Sequence, residues 1–96
     1  MAITVAQRGN PLKITGTTAG TDEIHNGREA IYVSRVHWVA PTTAGQELEL
    51  STSKGLVIAH LICGADGVTE DLEIGAYYDD IYCTDMDSGT LYIYTR

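Results

Sequence analysis

The sequence predicts an all-β chain: one small antiparallel β-sandwich or barrel-like domain with an extended N-terminal arm. Three observations carry that prediction. Apolar and polar residues alternate in two segments, Leu48 and Leu50 against Glu47, Glu49 and Ser51, and Leu91 and Ile93 against Tyr92 and Tyr94. A period of two is the mark of a strand with two unlike faces. Residues 30–40, AIYVSRVHWVA, are rich in β-branched and aromatic side chains and match no helical spacing. Four glycine-bearing turns follow at short intervals: Thr43-Ala44-Gly45, Ser53-Lys54-Gly55, Gly64-Ala65-Asp66-Gly67 and Asp87-Ser88-Gly89. That rhythm belongs to sandwiches and barrels. No polar stretch in the 96 residues is long enough to separate a pair of cores, so one domain is expected, with residues 1–29 as the arm and 30–96 as the core.

Taken in order, residues 8–28 hold Gly9, Gly16, Gly20, Gly27, Pro11 and four threonines, with Leu12, Ile14 and Ile24 as apolar anchors. A weak strand over 12–17 is expected there, and the rest reads as an arm or long loop. In 30–40 the apolar phase shifts between Ile31/Val33 and Val36/Trp38. A bulge near Ser34 and Arg35, or passage into a new packing environment, would absorb the shift. Residues 55–63, GLVIAHLIC, are apolar on both faces, as in a central strand covered on each side. Residues 81–86 and 89–95 are expected to form a hairpin through Asp87-Ser88-Gly89, with Asp87 capping its own backbone. That pairing would set Tyr82 beside Tyr92 and Tyr94. Leu91 and Ile93 make an equally good core face, so the tyrosines are expected to be half-exposed, a ring buried and a hydroxyl wet.

Thirteen acidic against six basic residues give a formal charge of −7, with no Lys/Arg cluster. Binding to a phosphate backbone would be opposed, and self-association through like faces discouraged. No apolar run reaches membrane-spanning length, and no basic-then-apolar leader opens the chain. No membrane partner and cytoplasmic synthesis are therefore expected. Cys63 and Cys83 could pair, but without a leader they are expected to stay reduced.

Catalytic and metal motifs fail on spacing. Counting a calcium loop from Asp85 puts Thr90 where glycine belongs and Arg96 where the bidentate Glu belongs. Asp79-Asp80 and the set Asp66, Glu70, Asp71 and Glu73 read as solvated loops. A glycosidase pair would need a cleft that a sheet this small seldom holds. His25, His37 and His60 lie far apart, neither cysteine belongs to a C-x-x-C pair, and no G-x-S-x-G, G-x-G-x-x-G or Walker pattern is present. The expectation is a non-enzyme with no metal and no cofactor.

Trp38, then APTTAGQELEL, SKGLVI and IYCTDMDSGTLYIYT, together resemble small virion structural proteins of tailed bacteriophages. In those, a Trp-containing strand leads through a T-x-A-G turn, an alternating strand and a Gly-x-Val-Ile strand to a closing hairpin with Ser-Gly before the last strand. The resemblance spans residues 31–95. It implies a head decoration or cement protein on the capsid exterior, a structural homo-oligomer, a trimer or another symmetric cluster, with the major capsid protein as partner. The acidic Asp79-Asp80 loop and the long N-terminal region depart from that pattern, so no docking surface carries over. From the residues themselves, the candidate interface comprises Ile3, Val5, Leu12 and Ile14 of the arm with Tyr82, Tyr92 and Tyr94. If the tyrosines are exposed together, a carbohydrate- or receptor-binding module of a tail or fibre is the alternative.

Overall fold

The computed structural model describes residues 3–95, the side chains of 27 and 28 excepted. Seven strands form it: β1 (Ile3–Gln7), β2 (Leu12–Gly16), β3 (Asp22–Val39), β4 (Glu47–Ser51), β5 (Val57–Ile62), β6 (Glu70–Met86) and β7 (Thr90–Tyr94). They make one antiparallel sheet in the order β1-β2-β7-β3-β6-β4-β5. The all-β, antiparallel class is as the sequence predicts.

Two long strands are the spine. β3 and β6 pair from Asp22↔Cys83 to Trp38↔Glu70, and their register slips three times. The slip between Val33 and Arg35 falls where the apolar phase changes. There Ser34 faces two residues of β6, Ile74 and Gly75, and Gly75 takes φ 71; an extra residue on one strand bends the pair. At the same place β3 gains a second neighbour, since Arg35 pairs with Tyr94 of β7. The bend divides the sheet into two wings. β7, β2 and β1 extend from the C-terminal half of β3, while β4 and β5 extend from the C-terminal half of β6. Thr18 bridges to Met86, tying the chain after β2 to the end of β6.

Both wings bury their inward residues in one core: Leu12, Ile14, Leu91 and Ile93 from the first, Leu48, Leu50, Ile58 and Ala59 from the second, with Ile24, Val33, Val36, Trp38, Ile81, Cys83 and Met86 from the spine. Alternation in β4 and β7 accounts for Leu48/Leu50 and Leu91/Ile93 pointing in, because successive strand residues face opposite ways.

Four expectations are corrected. Glu70, Asp71, Glu73, Asp79 and Asp80 are not loop residues but lie along β6. Residues 22–29 are strand, not arm or loop: fully buried Ile24 anchors them while Glu23 and His25 pair with Tyr82 and Ile81. The closing hairpin does not form, because β3 lies between β6 and β7. Asp87-Ser88-Gly89 is a crossover past the end of β3, and Asp87 accepts from Glu47 N at 2.9 Å. Local turn chemistry signals a reversal but not which strand becomes the neighbour. Lastly, β5 is an edge strand. Its apolar residues on both faces read as central only because periodicity cannot tell a covered face from an uncovered one.

Trp38 fixes the crossover. Its ring is fully buried and Nε1 donates to Ser88 O at 2.7 Å. Gly89 sits against it with φ 80, and a Cβ there would lie 2.7 Å from Val39 O and 3.0 Å from Trp38 Nε1. Around this contact three loops are laced together: Thr42 N donates to Ser88 Oγ at 2.9 Å, Gly67 N to Pro41 O at 2.7 Å, and Ala44 N to Asp66 Oδ1 at 2.8 Å.

Candidate functional site

The outward face where the first wing meets the spine gathers aromatic and charged side chains in two rows. Register places Lys13, Tyr92, His37 and Asp71 side by side on β2, β7, β3 and β6, and Tyr94, Arg35 and Glu73 in the next row. The Arg35 guanidinium lies over the Tyr94 ring, 4.6 Å from its centroid, a cation–π contact worth about 0.5–1 kcal/mol at an exposed site. Arg35 Nε and His37 Nδ1 each lie 3.6 Å from Asp71 Oδ1, beyond hydrogen-bond reach. His37 Nδ1 is enclosed and without a hydrogen bond. Asn10, Ser34, Arg35, Glu73 and Tyr94 line a shallow groove of about 360 Å³.

The interface candidates are not brought to one place. Tyr82 faces Glu23 and Ser51 and accepts from Asn26 Nδ2 at 3.2 Å, whereas Tyr92 and Tyr94 face His37 and Arg35. Each tyrosine is half-buried. Leu12 and Ile14 are core residues, so they have no surface to offer a partner; Ile3 and Val5 are half-buried on β1, packed against the core.

The second wing carries a different surface. Glu47 and Glu49 of β4 project beside His60 and Ile62 of β5, with Asp85 of β6 next to Glu49. His60 Nε2 meets Glu47 Oε1 at 2.6 Å, and Thr84 Oγ1 donates to Glu49 Oε1 at 2.8 Å. Partial burial, a hydrogen bond shared with Asp87, and repulsion from Asp87, Glu47 and Glu49 push the Asp85 carboxyl up to about 6. Asp80 moves the other way, held below the usual carboxylate range by the hydroxyl and amide of Ser53. Burial pushes the Cys83 thiol up to about 12, which leaves it a poor nucleophile at neutral pH. Cys63 and Cys83 are both free thiols. Among the described residues, no group of three His, Cys, Asp or Glu can hold a metal ion, and no helix is long and apolar enough to cross a membrane.

Beyond the acids lies the edge. Val57 and Ile62 are 51% and 57% exposed on a strand with one neighbour, and Leu56, in the turn before it, is 61% exposed. Apolar residues on both faces of 55–63 are the available signal for it, but edge position depends on long-range pairing. The Arg35, His37 and Glu73 cluster around Tyr94 has no local signal, since three strands distant in sequence supply it.

No protein-family model matches the chain, and no curated protein and no solved structure matches it either.

Proposed function

We propose that the chain is a structural subunit of a tailed-phage virion, a decoration or cement protein that binds the capsid exterior as a symmetric oligomer and braces the major capsid protein. The observation that carries this reading is the uncovered apolar edge of β5, with Val57 and Ile62 exposed on a chain too small to leave such surface idle. Eight acids on β4 and β6, with no basic residue on either strand, suit an outer shell face and repel nucleic acid. The sequence resemblance supplies the specific class. The test is binding of purified protein to expanded heads that lack it. The reading requires saturable bound copies and raised heat resistance of the shell; heads that gain neither contradict it.

A second reading, a carbohydrate-binding module of a tail or fibre, draws on the Tyr94 groove, where an aromatic ring sits among Asn10, Ser34, Arg35 and Glu73. A glycan array checks it: binding that is lost in Tyr94→Ala supports this reading, and a blank array removes it.

A further inference from the structure

The two ends of the sheet differ in charge, and no further strand covers either. β1, ITVAQ, and β5, VIAHLI, hold no charged residue and no proline. Each has a single strand neighbour, so each keeps outer backbone N–H and C=O groups that no strand pairs, although on β1 Ile3 N donates to Asp22 Oδ2 at 3.2 Å. Sheet proteins ordinarily guard such edges with Lys, Pro, bulges or a covering loop. Behind β1, the strands β2 and β7 carry Lys13 and no acid; Arg8 of the β1–β2 connection reaches back to Ile24 O at 3.2 Å, and Asp22 of β3 meets the start of β1. Behind β5, β4 and β6 carry two and six acids and no base.

We infer that β1 of one copy pairs with β5 of a second copy, joining chains head to tail through a continued sheet. Charge selects this contact over the two symmetric ones. A β5–β5 contact would oppose Glu47, Glu49 and Asp85 to their own images, and the raised Asp85 carboxyl shows how crowded that surface already is. A β1–β5 contact instead sets the Lys13 side of one copy against the Glu47/Glu49 side of the next. Lys13 and the two glutamates each lie one strand in from their edge and on the outward face. Three interstrand steps, about 14 Å, separate the two strands that carry them, a gap that long side chains lying across the face reduce to within the screening length of about 8 Å. Every pair in the seven-stranded order is antiparallel, so β1 and β5 run the same way, and keeping the outward face outward makes the new pair parallel. Such a heterologous contact closes into a ring where its rotation permits and grows as a filament otherwise. Exposed Val57 and Ile62 supply the apolar area at the joint.

This deepens the oligomer within the proposed function and rests on that reading only for there being more than one copy. The experiment blocks one edge at a time with guard lysines at exposed positions, Thr4→Lys on β1 and Val57→Lys/Ile62→Lys on β5, and measures mass by sedimentation at low salt. Wild type is expected to assemble, each blocked form to be monomeric, and their mixture to yield a 1:1 dimer that grows no further. Glu47→Lys/Glu49→Lys is expected to weaken wild-type assembly about threefold to tenfold, and adding Lys13→Glu to restore it. A monomeric wild type overturns the inference. So does a Thr4→Lys form that assembles like wild type, which would mean β5–β5 pairing, or a β5-blocked form that does so. Far-UV circular dichroism spectra that match wild type, with a cooperative melt, show the variants are folded. Titrating the Thr4→Lys monomer, whose β5 edge is intact, onto expanded heads separates failure of this contact from failure of shell binding.

Discussion

The wing of β1, β2 and β7 and the wing of β4 and β5 use the same alternating pattern to opposite ends. In the first, inward residues are buried, the outward face carries Tyr92, Tyr94 and Lys13, and its junction with the spine is locked by Trp38, Ser88 and Gly89. In the second, Leu48, Leu50, Ile58 and Ala59 are equally well buried, yet acids crowd the outward face and the edge strand keeps apolar residues in water. Core formation therefore explains both inner faces. It does not explain the outer face or edge of the second wing, and that is where the proposed contact between copies is placed.

Breaking the locked junction should cost most. Trp38→Ala removes a buried indole and is expected to lose about 3–5 kcal/mol in denaturant unfolding, a large share of the stability of so small a domain. Gly89→Ala must place a Cβ 2.7 Å from a carbonyl oxygen at φ 80, so its loss should exceed the roughly 1–2 kcal/mol of a left-handed backbone alone. A smaller change of opposite sign is expected next door. Ala40 takes φ 51, and Ala40→Gly should stabilise by up to about 1 kcal/mol, less the entropy of the freer unfolded chain; equal or lower stability would mean that the Ala40 conformation is not strained.

How much of this is legible in the sequence follows from which interactions are local. Leu48/Leu50 and Leu91/Ile93 announce their burial because alternation is read within one strand, and the phase change around Ser34 announces the slip in register. The crossover at Asp87-Ser88-Gly89 reads as a hairpin because the same residues serve either geometry; only an eighteen-residue β3 placed between β6 and β7 decides it. Residues 22–29 look like loop for want of alternation, yet fully buried Ile24 anchors them. The tyrosines meet the expectation of half-exposure, but their grouping depends on that hairpin and fails with it. The Arg35–Tyr94 contact and the β5 edge arise from pairing between distant segments, which no window of sequence contains.

The second wing answers to pH. Because the folded Asp85 carboxyl is raised from 3.8 to about 6, the native state holds that proton more readily than the unfolded state between those values. Stability from this group is therefore greatest at low pH and falls as pH rises through about 4 to 6. Asp85→Asn should flatten that section of a pH series of urea melts; an unchanged slope would assign it elsewhere. Asp80, held low, contributes the reverse, support that is lost as pH falls below its ordinary range. The smallest effect belongs to the edge itself: Val57→Thr and Ile62→Thr should alter monomer stability by no more than about 0.5 kcal/mol, while weakening assembly.

The central claim, that both uncovered edges exist to be covered by other copies, is tested most directly by amide hydrogen exchange of wild type across a concentration series. The account predicts that β1 and β5 amides gain protection together as concentration rises, while β2, β7 and β4 stay unchanged. Protection of β5 without β1, or no dependence on concentration at either edge, would contradict it.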